Sequence, residues 1–405
     1  MIEDKYNAYE SLNKKLASFE TIAQEAIRGG KEAKDATKAK NGALIIIIAI
    51  IVVLVVTVVS SKVISTNAAK KAEEQYNKAF QTAQQAKKYS SRVAADSNCC
   101  VVVQPDGKVK AVIGKNAGSH GETNVNSWTD IEAVSNGGFC TVGLKTDGTV
   151  ISTKIINEDK DYPVNYGQTE VGKWKDIVAI ATGRSHTVGL RADGTVVSTK
   201  VDESVKDSND ETKGQDDVND WKDIVAIDAG YHTTVGLKAD GTVVTAGETA
   251  DTSTWQDVVD ISTDGFFVMG LTSNGQVLCE RTTSDIGDGS YYNDQATEWD
   301  DIAAIYCDEF EALGLKTDGT VVTTDVSSYY WDWPGEEGTR YRDWGQTDVQ
   351  DWSNIVGLSS GDYYTVGIKS NGKLVITKIH DDEEDPEYSI DDGRNNVKGW
   401  KVKLD

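Results

Sequence analysis

The sequence predicts an all-β seven-bladed propeller with a split closing blade, preceded by an α-helical cytoplasmic segment, one transmembrane helix and a helical stalk. Three observations predict it. Six tryptophans are each followed 20 residues later by a glycine. Residues 42–61 form an uninterrupted run without charge. On both sides of that run apolar residues recur at alternating intervals of three and four, the seam of a helix. The expected limits are an N-terminal amphipathic helix and basic flank over 1–41, a membrane helix over 42–61, a stalk over 62–97 and a propeller over 98–405.

In the first element, Tyr9, Leu12, Leu16, Phe19, Ala23 and Ala26 mark one helical face, which Gly29 and Gly30 end. The run that follows reads ALIIIIAIIVVLVVTVV from Ala43 to Val59. With its small flanking residues it would span about 30 Å, the hydrocarbon thickness of a bilayer. It starts too deep in the chain, and is too long, for a cleaved signal peptide. Arg28, Lys31, Lys34, Lys38 and Lys40 precede it, whereas Lys62, Lys70 and Lys71 follow. That bias predicts a single-pass membrane protein with a cytoplasmic N-terminus and an extracytoplasmic propeller. Beyond it, Ala69, Ala72, Tyr76, Ala79, Ala83 and Ala86 repeat the helical spacing in a Lys/Gln/Ala-rich stretch read as a solvated spacer. Alanine buries little area, so self-association through these helical segments would be weak.

The repeats begin at about residue 98. Trp128, Trp174, Trp221, Trp255, Trp299 and Trp352 open the units, and Gly148, Gly194, Gly241, Gly275, Gly319 and Gly372 sit in Asp-Gly or Asn-Gly turns. Between them lie a short β-branched strand such as DIVAI, a loop, and a second strand such as TVGL with a central glycine for close packing. A third strand follows the turn. Successive turn glycines lie 46, 47, 34, 44 and 53 residues apart, the size of one four-stranded blade. Asp106-Gly107 is a seventh hairpin without its tryptophan, and Trp400 opens a unit without a hairpin. Pairing Val402 and Leu404 with the Cys99–Lys110 hairpin would complete a seventh blade and remove the open edges.

The unit WKDIVAIATGRSHTVGLRADGTVV, residues 174–197, resembles the repeat of the regulator of chromosome condensation superfamily. The resemblance covers about 98–405 and implies a seven-bladed propeller with a split last blade. That superfamily includes exchange factors for a small GTPase, chromatin binders and a secreted bacterial inhibitor of β-lactamase, so it implies no single function. The histidine usual before TVGL survives here only as His186; Cys140, Thr233, Phe267, Glu311 and Tyr364 fill that column elsewhere. His186 and His232 are read as blade histidines.

Composition narrows the function. The chain carries a formal charge of −24. Residues 1–95 hold 15 basic and 9 acidic side chains, leaving −30 on residues 96–405. Such a surface repels a phosphate backbone, so no nucleic-acid partner is expected. Cys99, Cys100, Cys140, Cys279 and Cys307 have neither CxxC spacing nor an even count, and no sequon is present. No nucleophile elbow, Walker loop, HExxH or dinucleotide fingerprint occurs, so neither enzyme activity, cofactor nor metal is expected. The acidic loops at 201–220 and His380–Asp392 lack the ligand order of a calcium loop.

One inter-repeat loop differs in kind. Within the longest interval the chain reads DVSSYYWDWPGEEGTRYRDWGQ, placing Tyr329, Tyr330, Trp331, Trp333, Arg340, Tyr341 and Trp344 together. Aromatic residues and arginine dominate protein-binding hot spots. The expected function is therefore a membrane-anchored propeller that binds a protein partner through this loop. Alternatives are an exchange-factor-like regulator of a small GTPase with a cytoplasmic propeller, and a glycan- or calcium-dependent adhesin.

Overall fold

The computed structural model describes residues 65–115, 119–137, 139–156, 164–201, 213–282, 295–308, 311–325, 330–333, 336–340, 344–380 and 393–404. The chain divides into two units, Met1–Glu74 and Gln75–Asp405. One long helix is described, α1 over residues 65–90.

Seven three-stranded antiparallel sheets follow it. The first comprises β1 (Val93–Ala95), β2 (Cys99–Val103) and β3 (Val109–Ile113); the second β4 (Ile131–Gly137), β5 (Cys140–Lys145) and β6 (Val150–Ser152). The third comprises β7 (Ile177–Thr182), β8 (Thr187–Arg191) and β9 (Val196–Ser198); the fourth β10 (Ile224–Ala229), β11 (Thr233–Lys238) and β12 (Val243–Gly247). The fifth comprises β13 (Val258–Thr263), β14 (Phe267–Thr272) and β15 (Val277–Arg281); the sixth β16 (Ile302–Cys307), β17 (Ala312–Lys316) and β18 (Val321–Thr323). A two-stranded hairpin, β19 (Tyr330–Trp333) and β20 (Glu336–Arg340), precedes the seventh sheet of β21 (Ile355–Gly361), β22 (Tyr364–Lys369) and β23 (Leu374–Ile376). The first strands of successive sheets are neighbours, and β1 also neighbours β21, so the sheets close as a β-propeller around a channel.

The fixed 20-residue interval has a steric cause. A Cβ placed on the mid-strand glycines Gly143, Gly189, Gly236, Gly270, Gly314 or Gly367 would lie 2.6 to 2.9 Å from the ring of the tryptophan opening its own repeat. Only glycine lets the ring lie flat on the strand. The tryptophan thereby seats the sheet behind it, with Trp128, Trp174, Trp255 and Trp352 buried. The turns are tightened by glycine alone: Gly148, Gly194 and Gly241 lie at φ 78 to 80°, and the Asp before each stays out of the left-handed region. That is a type I turn closed by a left-handed glycine, rather than an Asp-Gly pair both at positive φ. The residue two after each tryptophan is left-handed instead: Asp130, Asp176, Asp223, Asp257, Asp301 and Asn354 have φ of 56 to 60°. Asp and Asn tolerate that conformation best among residues with a Cβ.

Hydrogen bonds cross from each sheet to the next. The turn glycine carbonyls of Gly107, Gly148, Gly194, Gly241 and Gly319 accept the N–H of Ile131, Ile177, Ile224, Val258 and Ile355 at 3.0 to 3.1 Å. Along the channel, side chains of one first strand accept the backbone N–H of the next. Ser135 Oγ takes Thr182 N, Asp228 Oδ2 takes Thr263 N, and Asp260 Oδ2 takes Ile305 N, each at 3.0 Å.

Three expectations are corrected. Among the described residues no helix is long and apolar enough to cross a membrane, which overturns the single-pass architecture and the localisation drawn from it. The one long helix is Lys/Gln/Ala-rich; the segments expected to be helical over 2–27 and membrane-spanning over 42–61 lie outside the described residues. Second, the stalk is not a solvated spacer from Gln75 onward. Tyr76 Oη donates to Val258 O at 3.1 Å, Ala83 and Ala86 are buried, and Ser90 Oγ accepts Leu358 N at 3.0 Å. The alanines that bury little area in a free helix let this one approach the sheets closely. Third, the closing blade is not split. The first strand of the first sheet is β1, immediately after the helix, paired to β2 in register Val93↔Val102. The C-terminal segment makes one isolated bridge, Lys373↔Lys401, and Val402 N donates to Gly372 O at 2.9 Å. Val102 stands where six sheets have glycine, and Trp400 packs half-buried against the core that holds Cys100 and Val102, with Lys110 Nζ 5.6 Å from its ring.

Candidate functional site

Two features stand apart from the repeat. The first is the aromatic loop, which forms the β19–β20 hairpin with Tyr330 opposite Arg340, Trp331 opposite Thr339 and Trp333 opposite Glu336. It is a two-stranded sheet separate from the seven. Tyr329 and Tyr341 lie outside the described residues. Trp344 belongs elsewhere: it packs edge-to-face on Tyr363 at 6.3 Å and joins the core of the seventh sheet. Its N–H donates to Gln346 Oε1 at 2.7 Å and its carbonyl accepts His380 N at 2.8 Å. Thus four of the seven candidate residues share a hairpin, and Trp344 belongs to the ring. Of the acidic loops at 201–220 and His380–Asp392, residues 202–212 and 381–392 lie outside the described residues, and Lys200 Nζ lies 3.0 Å from Asp216 Oδ2 of the first.

The second feature is the channel, a cavity of about 1160 Å³. Nine acidic and four basic residues line it, which makes its field negative. The last turns of α1 enter it. Lys87 Nζ donates to Ile305 O at 2.5 Å, lies 3.8 Å from Asp260 Oδ2 and sits 4.4 Å from the Tyr306 ring centroid. Burial pushes Asp260 up to about 6 against the pull of Lys87 and its backbone donors. Asp228 is raised for the same reason, Lys87 again opposing. Ser90 Oγ and Tyr306 Oη are 2.8 Å apart, and burial pushes the Tyr306 phenol above its usual range. At one mouth, the Arg184 guanidinium lies 4.5 Å from the Tyr231 ring, which stacks on Phe266 at 5.8 Å. Phe139, also lining the channel, has φ 67°, a backbone state that bulky residues rarely adopt. The sequence reading missed this channel, because its lining is drawn from all seven sheets and no one stretch announces it.

The histidines are parts of the blades. His186 is fully buried, its Nε2 lies 2.7 Å from Thr234 Oγ1, and burial pushes it down to about 4. It is neutral at pH 7. His232 Nδ1 lies 3.7 Å from Glu248 Oε2. None of the five cysteines is in a disulfide, and burial pushes Cys100 and Cys140 up to about 12, which makes those two inert thiols.

No protein-family model matches the chain, and no curated protein matches it. Solved structures that are similar include the CRINKLY WD40 ectodomain of the Arabidopsis thaliana receptor kinase ACR4, at 16% identity and TM-score 0.46, covering 71% of this chain and 94% of that one. Prp20p from Saccharomyces cerevisiae, described with its binding to Gsp1p and histones, is similar at 12% identity and TM-score 0.45, covering 72% and 83%. The C-terminal domain of gp131 from bacteriophage phiKZ reaches TM-score 0.39 at 12% identity, covering 79% and 98%. These values accompany a likeness of fold alone; the propeller assignment rests on the sheets described above.

Proposed function

We propose that the propeller is a non-catalytic protein-interaction module whose contact surface is the aromatic hairpin β19–β20. The observation that carries this reading is the hairpin itself. The longest inter-repeat insertion folds as its own sheet, outside the seven that build the ring, and concentrates Tyr330, Trp331, Trp333 and Arg340 in it. Loops on a rigid scaffold are where binding residues collect, and Trp, Tyr and Arg are the residues whose burial dominates interfaces. The partner is a protein whose surface tolerates a strongly acidic neighbour.

The test is affinity capture with the wild-type chain and with Trp331→Ala combined with Trp333→Ala, each paired with a melting curve. The double variant should lose the specifically captured proteins while its stability changes by no more than about 0.5 kcal/mol, as for surface substitutions. An unchanged set of captured proteins ends the reading. So does a large loss of stability, which would show the rings to be part of the fold.

A further inference from the structure

The channel is covered on one side only. Tyr76, Ala79 and Phe80 of α1 pack against the core of the fifth and sixth sheets, Phe80 also against the core that the fourth and fifth share and that Val225 and Ala226 of β10 join, and Ala86 against the core around Tyr306. Beneath them β13 is buried throughout and β16 at every residue but Cys307. Strands β7 and β10 carry the same four residues, IVAI, at 177–180 and 224–227. They line the same cavity, yet Val178 is 54% exposed and Ile180 and Ile227 remain partly exposed. At the same places the covered strands β13 and β16 read VVDI and IAAI, so both the side chains and the cover differ.

Polar atoms point the same way. Gln84 Nε2, Glu122 Oε1 and Thr182 Oγ1 are buried side-chain atoms without a hydrogen-bond partner, and all three residues line the cavity. Glu122 and Thr182 are 3% and 6% exposed. Leaving such groups unpaired is costly, and since Gln84 Nε2 donates, Glu122 Oε1 accepts and Thr182 Oγ1 can do either, an occupant that brings both donors and acceptors is favoured.

We propose that the open half of the channel is a docking groove for a cationic amphipathic helix of a partner protein, seated on β7 and β10 as α1 is seated on β13 and β16. The chain supplies its own template. In α1 an apolar row ends in Lys87, and that ammonium is taken up by Asp260, the Ile305 carbonyl and the Tyr306 ring. The negative lining selects lysine or arginine on the incoming helix, and the exposed IVAI faces take its apolar row. A volume of about 1160 Å³ corresponds to roughly two to three turns of a helix about 10 Å across. This site is separate from the aromatic hairpin, and each can fail without the other.

The probe is a fluorescent, amidated twelve-residue peptide with leucine at helical spacing and lysine elsewhere, titrated into the full chain by anisotropy. Its counterpart carries glutamate in place of every lysine. The lysine peptide should bind, weaken as salt rises, and lose at least tenfold affinity with Val178→Lys. Ile156→Lys, at an exposed position that does not line the channel, should leave affinity unchanged. Hydrogen exchange on the wild-type chain supplies the second readout: the amides of β7 and β10 should gain protection when the peptide is added. Failure of the lysine peptide to bind, equal binding by the glutamate peptide, equal binding to the Val178→Lys chain, or unchanged protection of β7 and β10 overturns the proposal.

Discussion

Six sheets of this ring are seated by a tryptophan lying flat on a glycine, and the first sheet is not. In the fourth sheet, a Cβ on Gly236 would approach the Trp221 ring to 2.7 Å; in the first, the same place in the middle strand belongs to fully buried Val102. The first sheet is instead held at its seam. Ser359 Oγ accepts Ala95 N at 2.9 Å, Tyr364 Oη donates to Cys99 O at 2.9 Å, and Arg394 donates to the Ser97 carbonyl. A repeat protein can therefore close without repeating its own joint, provided the chain entering the ring supplies the first strand. Here α1 delivers β1 directly.

Four measurements would break or sharpen that contrast. The largest effect is expected from the tryptophans. Trp255→Ala, which empties a buried site, should cost about 4 kcal/mol by denaturant unfolding. Trp400→Ala, at a half-buried residue beside one isolated bridge, should cost only about 1 kcal/mol. Equal losses would mean that the C-terminal segment seats the first sheet after all.

Next comes the chemistry of the seams. Asp260, which joins the fifth and sixth sheets, rises from 3.8 to about 6 on burial. Between those values the folded chain holds a proton that the unfolded chain has released. Stability should therefore fall as pH rises from about 4 to about 6, by about 3 kcal/mol in total. Asp260→Asn should flatten that slope. The closing seam uses the neutral Ser359, so Ser359→Ala should cost about 1 kcal/mol equally at pH 4.5 and 7. A slope that survives Asp260→Asn assigns the proton to other buried carboxyls, of which Asp96 and Asp228 are also raised by desolvation.

Alanine at the middle-strand position should be unfavourable in both kinds of sheet, for opposite reasons. Gly236→Ala pushes a methyl into the Trp221 ring, and Val102→Ala opens a void, each costing about 2 kcal/mol. The sharper readout is the ring itself: Trp221 fluorescence should shift with Gly236→Ala and stay unmoved with Val102→Ala. The smallest effect belongs to Lys110, whose ammonium lies 5.6 Å from the Trp400 centroid. Lys110→Ala should cost about 0.5 kcal/mol.

The repeat was legible because its physics is local. The Trp-to-Gly interval, the Asp or Asn two residues after each tryptophan and the Gly in each turn all answer to contacts within a single unit or between adjacent ones. The aromatic hairpin was legible as composition, since Tyr330, Trp331, Trp333 and Arg340 stand together in the chain. The channel was not. Glu122, Thr182, Asp228 and Lys87 come from four separated stretches and meet only when the ring closes.

By itself, the amino-acid sequence determined the repeating unit, its count of Asp-Gly and Asn-Gly turns and the acidic charge of the region that carries them. Those depend on steric contacts and ionisable groups that neighbours in the chain already decide. Only the tertiary structure decided which strand completes the first sheet, and that residues 75–90 pack into the ring rather than stand away from it. Both choices turn on long-range fit. A Val in place of a Gly keeps one tryptophan from the joint that the other six make, and a row of alanines lets one helix come close to the channel wall.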